Sequence, residues 1–232
     1  MLDLQIITVT FDSEELIDIN HNILDFTDVS YSWLNIKNNQ NDIIIQCDKI
    51  TNIDNLEHNI NGSIHHGIAI NKALKIIGES RYLLILDPDF FVFQPIKDIL
   101  DMMENGGLDF WGAAGPVPNF PCAFCMFIDL RKVDINTLNF IPIGDYKVPK
   151  NTFRNDKERR EYSKDTSFRI YDQSKHKHNF DAIDILSADI PQKYYLNNKI
   201  FAYHFRAKLF RLNKTDRNKK ITSIRNELHN IC

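Results

Sequence analysis

The chain has 232 residues, of which 43% are hydrophobic and 25% are charged, and this length and composition fit one globular α/β domain. Its formal net charge of −3 argues against a nucleic-acid-binding protein. No uncharged apolar stretch approaches the roughly 20 residues of a membrane span, and the N-terminal segment lacks the basic leader of a signal peptide. We therefore expect a cytoplasmic protein.

Strands and helices alternate along the first half of the chain. A β-branched run predicts the first strand at residues 4–10, and Asp12 is predicted as the N-cap of the helix that follows it. Apolar patterns predict further strands near residues 29–36, 43–47, 109–112 and 124–130, and helices near 64–77 and 95–104. This alternation favours an open, largely parallel sheet whose ligand site lies at the carboxyl ends of its strands.

The pattern weakens after residue 130. Residues 142–164 are predicted to form a long loop, followed by a helix at 166–175 and a strand at 199–205. Cys122 and Cys125 lie in an apolar run without a second Cys/His pair at zinc spacing, so we expect buried strand cysteines instead of a metal or redox site.

Asp87 and Asp89 carry the strongest chemical signal in the sequence. They flank Pro88 within YLLILDPDFFVF, the most strand-like segment, which is predicted at the centre of the sheet. Two carboxylates at the exit of a buried strand repel each other unless a cation binds between them. A hard divalent cation with oxygen ligands resolves this repulsion, and substrate phosphates can fill its remaining positions. The alternative is a pair of solvent-exposed turn carboxylates.

An ordered set of motifs over residues 4 to about 130 resembles the GT-A glycosyltransferases, particularly family-2-like enzymes. In chain order the set comprises Thr10-Phe11-Asp12, a helix with His65-His66-Gly67 and Asn71, YLLILDPD, a proline helix start and FCMFIDL. The resemblance implies a single GT-A (Rossmann-like) α/β domain with a central, mostly parallel mixed sheet flanked by helices. Residues 1–115 would then bind a nucleotide sugar, and residues 116–232 the acceptor.

The resemblance also implies which residues contact a UDP- or GDP-sugar donor. In such enzymes the end of the first strand contacts the nucleoside, the middle helix contacts the nucleotide, and the Asp-x-Asp motif binds ribose and metal. The candidate donor contacts are Thr10, Phe11, Asp12, Asp48, His65, His66, Asn71 and Asp87. The alternatives are a helix cap for Asp12, a turn residue at Asp48, a helix-surface amide at Asn71 and a core role for either histidine. The acidic residue that the family carries after its second strand is not evident in NIKNN.

His204 is the candidate third metal ligand, with a structural histidine as the alternative. Related metal-dependent GT-A enzymes place a C-terminal histidine on the ion that the Asp-x-Asp motif binds. Imidazole suits Mn²⁺ better than Mg²⁺, so Mn²⁺ is the expected cofactor and Mg²⁺ the alternative. The resemblance assigns Arg206 and Lys208 to the departing diphosphate. The basic stretch from Arg206 to Arg225 is otherwise a solvated surface or a peripheral contact with an anionic membrane.

The leading interpretation of the reaction is an inverting transfer to a hydroxyl group of a glycan or another acceptor. Asp165 is the candidate general base, or otherwise the N-cap of a late helix, and the alternative bases are Glu161, Asp181 and Asp184. A retaining, family-8-like transferase is the runner-up, because YLLILDPD, CMFIDL and the late histidine also resemble that family. Weaker alternatives are a non-catalytic sugar-nucleotide-binding module and a haloacid-dehalogenase-type phosphatase, whose Asp-x-Asp normally opens the domain.

Overall fold

A computed structural model describes residues 2–11, 13–37, 50–54, 62–115, 117, 119–142, 166–187, 190–206 and 212–229 of the chain. The β-strands are β1 (Leu2–Thr10), β2 (Val29–Lys37), β3 (Ile50–Asp54), β4 (Tyr82–Leu86), β5 (Phe90–Val92), β6 (Phe110–Ala114), β7 (Pro121–Asp129), β8 (Phe180–Ile183), β9 (Ile185–Ser187), β10 (Gln192–Leu196) and β11 (Lys199–His204). The α-helices are α1 (Glu15–Ile23), α2 (Gly62–Ala73), α3 (Ile96–Asn105), α4 (Thr166–Ser174) and α5 (Lys214–His229), and a short 3₁₀ helix lies at Ile135–Thr137.

A seven-stranded sheet with the order β3-β2-β1-β4-β7-β6-β8 forms the centre of the described structure. Strands β3, β2, β1 and β4 are parallel, and β6 and β8 are parallel to each other. Strand β7 runs antiparallel to both of its neighbours, β4 and β6. The sheet is therefore mixed and mostly parallel, as the sequence predicted, and β1, β2 and β4 end at the same edge.

Both faces of the central sheet are covered by a hydrophobic core. Because side chains alternate between the two faces along each strand, one strand contributes residues to both cores. In β4, Tyr82, Leu84 and Leu86 lie in a core that includes α3 and a second sheet. Leu83 and Ile85 lie in the core on the other face, which includes α2 and α4. All five residues of β4 are buried, which explains why this strand is one continuous apolar run.

The second sheet has the strand order β5-β11-β10-β9, with every neighbouring pair antiparallel. It corrects the prediction of one strand through YLLILDPDFFVF, because the chain leaves the central sheet after Leu86 and enters the second sheet at Phe90. Pro88 has no backbone N–H for a ladder hydrogen bond, which favours a turn at this point. The Phe90 amide closes the turn by donating to the Asp87 carbonyl at 3.1 Å.

Helix α1 begins later than predicted. Glu14, and not Asp12, is its N-cap residue, and the Glu14 side chain makes no capping hydrogen bond. The first helical amides, those of Leu16 and Ile17, instead donate to the carbonyls of Ser13 and Glu14 at 3.0 and 2.9 Å. Asp12 itself, the predicted strand at 43–47 and residues 143–164 of the predicted loop lie outside the described residues.

Helix α5 and strands β8 to β10 were not predicted. The apolar residues of α5, Ile221, Ile224 and Leu228, are buried in a third core cluster that includes residues of α1, β5 and β11. The helix is otherwise strongly polar, so its apolar stripe is too narrow to stand out in the sequence. Among the described residues, no helix combines the length and the apolar composition needed to cross a membrane.

Candidate metal centre

The Asp87-Pro88-Asp89 turn lies at the carboxyl edge of the central sheet, directly after β4. The Asp87 amide donates to the Phe124 carbonyl of β7 at 2.9 Å. The fully buried Asn20 side chain of α1 donates to the Pro88 carbonyl at 2.8 Å. The turn backbone is therefore held from the sheet and from a helix. Sequence reasoning missed Asn20, whose signal was a polar residue on the apolar face of an amphipathic helix.

His204 reaches the same turn from the end of β11. The antiparallel register of β11 and β5 places His204 opposite Phe90, and the Phe205 amide donates to the Asp89 carbonyl at 3.0 Å. The imidazole is buried, and its ring centroid lies 4.7 Å from that of Phe124 and 5.4 Å from that of Phe90. Packing between two aromatic rings restricts the orientation of the imidazole.

Asp87, Asp89 and His204 form a group that could hold a metal ion, since one ligand atom from each lies within 4.8 Å of the others. His204 Nε2 is 3.6 Å from Asp89 Oδ1. The Asp87 and Asp89 side chains are only 30% and 14% exposed, so their mutual repulsion is poorly screened by water. Two carboxylate oxygens and one imidazole nitrogen are ligand types that divalent cations bind in proteins. The structure thus brings together the three residues predicted as metal ligands.

The two neighbouring histidines of α2 face different partners. His66 Nε2 lies 3.3 Å from Asp87 Oδ1 and therefore touches the candidate metal centre. His65 is buried, and its ring centroid lies 5.8 Å from that of Phe11 at the end of β1. The sequence left the choice between these histidines open, whereas the helix geometry separates them.

A buried polar cluster lies at the carboxyl ends of β1 and β2. The Thr10 hydroxyl is 3.1 Å from Asn35 Oδ1 and 3.4 Å from Glu14 Oε1. All three side chains are fully buried, and Lys37 at the end of β2 is only 6% exposed. The Thr10 hydroxyl is therefore engaged inside the protein. Asn35 and Lys37 were visible in the sequence as polar residues within an apolar strand, but they were not selected as site residues.

Asn71 makes two hydrogen bonds to the segment at residues 139–140. Its Nδ2 donates to Asn139 Oδ1 at 2.9 Å, and its Oδ1 accepts the Phe140 amide at 2.9 Å. Gly67 allows α2 to approach this segment closely, because a Cβ there would lie 2.3 Å from the Phe140 carbonyl oxygen. Asn71 therefore joins α2 to the segment at residues 139–140, and its assignment as a donor contact stays a prediction.

Some of the remaining candidates lie within the described residues and the others lie outside them. Arg206 follows the metal centre by two residues, is exposed and has a left-handed backbone with φ of 46°. Asp181 lies in β8 and Asp184 directly follows it, and both are exposed. Strand β8 is at the edge of the central sheet, three strands away from β4. The candidates that lie outside the described residues are Asp12, Asp48, Lys208, Asp165 and Glu161.

The two cysteines of β7 are buried, as predicted. Cys122 Sγ accepts a hydrogen bond from the Ser167 hydroxyl at 2.8 Å. Burial raises the pKa of the Cys125 thiol, and the neighbouring Asp87 carboxylate raises it further. Cys125 is therefore protonated at neutral pH, which removes the thiolate that metal binding or redox chemistry would need.

Comparison with known proteins rests on structure alone, because no family model matches the chain and no curated protein matches its sequence. The mannosyltransferase PcManGT from Pyrobaculum calidifontis, solved in complex with GDP-Man and Mn²⁺, superposes with a TM-score of 0.50 at 10% identity. The match covers 85% of this chain and 55% of that chain, so this chain spans just over half the length of that enzyme.

Two further glycosyltransferase structures give lower scores. GlyE from Streptococcus pneumoniae TIGR4 has a TM-score of 0.47 at 15% identity, covering 79% of this chain and 45% of that chain. A glycosyltransferase involved in the glycosylation of the major capsid of PBCV-1 has a TM-score of 0.39 at 15% identity, covering 78% and 81%. From its strand order and its superposition on the mannosyltransferase, the chain has a GT-A-type α/β fold.

Proposed function

We propose that this protein is a metal-dependent glycosyltransferase, which moves a sugar from a nucleotide-diphosphate sugar to a hydroxyl group of a glycan or another acceptor. The convergence of Asp87, Asp89 and His204 at the carboxyl edge of the sheet is the observation that carries the proposal. Open α/β sheets bind ligands at this edge. The mannosyltransferase that shares the fold was solved with GDP-Man and Mn²⁺, which supports the donor class and the ion.

The three residues fit Mn²⁺, with Mg²⁺ as the alternative. Asp87 and Asp89 would supply carboxylate oxygens and His204 an imidazole nitrogen, which leaves other coordination positions for phosphate oxygens. When bound, the ion supplies positive charge that stabilises a departing nucleoside diphosphate. The backbone hydrogen bonds of the Asp87-Pro88-Asp89 turn hold the two carboxylates in place for this role.

Two groups of side chains are assigned to the donor. Phe11 is half-buried at the end of β1 with its ring near His65, and we assign this pair to the nucleoside. Arg206 is exposed two residues after His204, and we assign it to the diphosphate. Its left-handed backbone supports the assignment, because strained conformations of non-glycine residues cluster at functional sites.

The inverting course of the reaction, with Asp165 as the base, stays a prediction because Asp165 lies outside the described residues. The anomeric configuration of the product, measured by NMR, distinguishes inversion from retention. The division into a nucleotide-sugar half at residues 1–115 and an acceptor half at residues 116–232 also stays a prediction. In this division the metal centre combines Asp87 and Asp89 from the first half with His204 from the second.

Thermal unfolding with nucleotides and Mn²⁺ tests the proposal. A nucleoside diphosphate at 100 times its Kd stabilises the folded state by about 2.7 kcal/mol. For a chain of this size this free energy corresponds to a rise in Tm of roughly 5–11 °C. We expect the rise with UDP or GDP only in the presence of Mn²⁺, and we expect Asp89→Ala and His204→Ala to abolish it.

Activity measurements separate the proposed enzyme from its alternatives. Transfer to an acceptor, or slow hydrolysis of the nucleotide sugar in Mn²⁺, is expected of a glycosyltransferase. Donor binding without either reaction would indicate a non-catalytic binding module. Release of inorganic phosphate from simple esters without a nucleotide sugar would indicate a phosphatase and contradict the proposal.

A further inference from the structure

A second histidine contacts the candidate metal centre from α2. His66 Nε2 lies 3.3 Å from Asp87 Oδ1, with the two side chains 17% and 30% exposed. His66 is not part of the metal-ligand group, which within the described ranges comprises Asp87, Asp89 and His204. The imidazole is therefore adjacent to a candidate ligand without being one itself.

We propose that His66 is a positioning residue for Asp87, an inference that rests on the proposed function. In the metal-bound state, the His66 Nε2–H would donate to one carboxylate oxygen of Asp87 and orient the carboxylate toward the ion. Outer residues commonly orient metal-ligating carboxylates by hydrogen bonds of this kind. The 3.3 Å contact is not aligned as a hydrogen bond in the structure. Such contacts in ligand-free sites often tighten when the ligand binds.

The packing of α2 explains why His66 has this orientation. The helix approaches the segment at residues 139–141 so closely that a Cβ at Gly67 would lie 2.3 Å from the Phe140 carbonyl oxygen. One turn later, Asn71 bonds to the same segment at two points. These contacts fix the helix against the body of the protein. His66 is thereby held at the end of β4, beside Asp87.

This role differs from the donor contact that the family resemblance assigned to His66. A residue that bonds to the diphosphate changes nucleotide affinity directly. A residue that orients Asp87 changes the affinity for the ion, even when no nucleotide is present. Binding of Mn²⁺ alone therefore separates the two roles without any measurement of catalysis.

The test compares Mn²⁺ binding by wild type, His66→Ala and His66→Gln, with free Mn²⁺ measured by electron paramagnetic resonance. We expect His66→Ala to weaken Mn²⁺ binding by about 10- to 100-fold. His66→Gln is expected to restore most of the affinity, because its side-chain amide can donate from a position close to that of Nε2. Asp89→Ala serves as the variant in which Mn²⁺ binding is lost.

His178→Ala is the matched control. His178 Nδ1 lies 2.9 Å from Asp109 Oδ2, so it forms a similar histidine–carboxylate pair. Asp109 and His178 lie just before β6 and β8, at the opposite edge of the central sheet from Asp87. We expect His178→Ala to lower Tm and to leave Mn²⁺ affinity unchanged. A fall in Mn²⁺ affinity equal to that of His66→Ala would attribute both effects to general destabilisation and overturn the proposal.

Three further outcomes would also overturn it. In the first, wild type binds Mn²⁺ and His66→Ala binds it equally well, which removes the positioning role and leaves the proposed function intact. In the second, His66→Gln loses as much affinity as His66→Ala, which excludes a hydrogen-bond donor role. In the third, wild type fails to bind Mn²⁺ with or without UDP or GDP, in which case the proposed function fails as well.

Discussion

Replacing Asn71 by alanine tests whether its amide contacts a nucleotide or holds the neighbouring segment. The change removes two hydrogen bonds of 2.9 Å, one to Asn139 and one from the amide of the fully buried Phe140. Leaving that amide without a partner costs about 1–3 kcal/mol, and losing the second bond costs about 0.5–1.5 kcal/mol. The higher helix propensity of alanine offsets roughly 0.5 kcal/mol. We expect a net loss of about 1–4 kcal/mol, or a fall in Tm of roughly 2–16 °C.

Urea unfolding followed by circular dichroism measures the loss of stability, and calorimetric titration with UDP and GDP in Mn²⁺ measures nucleotide affinity. We expect Asn71→Ala to be less stable and to bind nucleotide like wild type at a temperature where both are folded. Asn22→Ala is the matched control, because Asn22 is exposed on α1 and its loss should change stability little. Unchanged stability with a tenfold or greater loss of nucleotide affinity would refute the structural role of Asn71.

Three further substitutions or modifications follow from the geometry. Gly67→Ala forces a Cβ against the Phe140 carbonyl and should cost about 1–3 kcal/mol in urea unfolding, so an unchanged midpoint would contradict the close packing. Asn20→Ala leaves the Pro88 carbonyl without its donor, so we expect it to lower the free energy of unfolding by about 1–3 kcal/mol and to weaken Mn²⁺ binding. Full Mn²⁺ affinity in this variant would show that the hydrogen bond does not support the site. Burial raises the pKa of Cys125, so an alkylating reagent at pH 8 should modify it in urea but not in the native protein, as mapped by mass spectrometry.

Local patterns predicted much of the fold. The continuous apolar run of β4 and the alternation of strands and helices indicated an open, mostly parallel sheet, and the structure confirms it. The polar helix α5 escaped prediction because its buried residues, Ile221, Ile224 and Leu228, form a narrow stripe in an otherwise charged segment. This stripe becomes recognisable only through the third core cluster that it completes.

Local sequence patterns also predicted part of the candidate site. Asp87 and Asp89 were identified because two acids beside a buried strand are chemically unusual wherever the strand lies in the sheet. His204 was identified from the family resemblance, and its approach to Asp89 depends on the pairing of β11 with β5. Asn20 was missed, because nothing near it in the sequence shows that its amide would meet Pro88, 68 positions further along the chain.

The sequence by itself determined the alternation of strands and helices in the first half of the chain, the central position of β4 and the pair of acids at its end, since these depend on side-chain periodicity and charge within a few residues. Only the tertiary structure decided that the chain changes sheets at Pro88 and that His66 faces Asp87 while His65 faces Phe11. These features depend on packing between segments that are distant in the chain. Such packing is set by how the whole core is filled, and the periodicity of a single segment does not encode it.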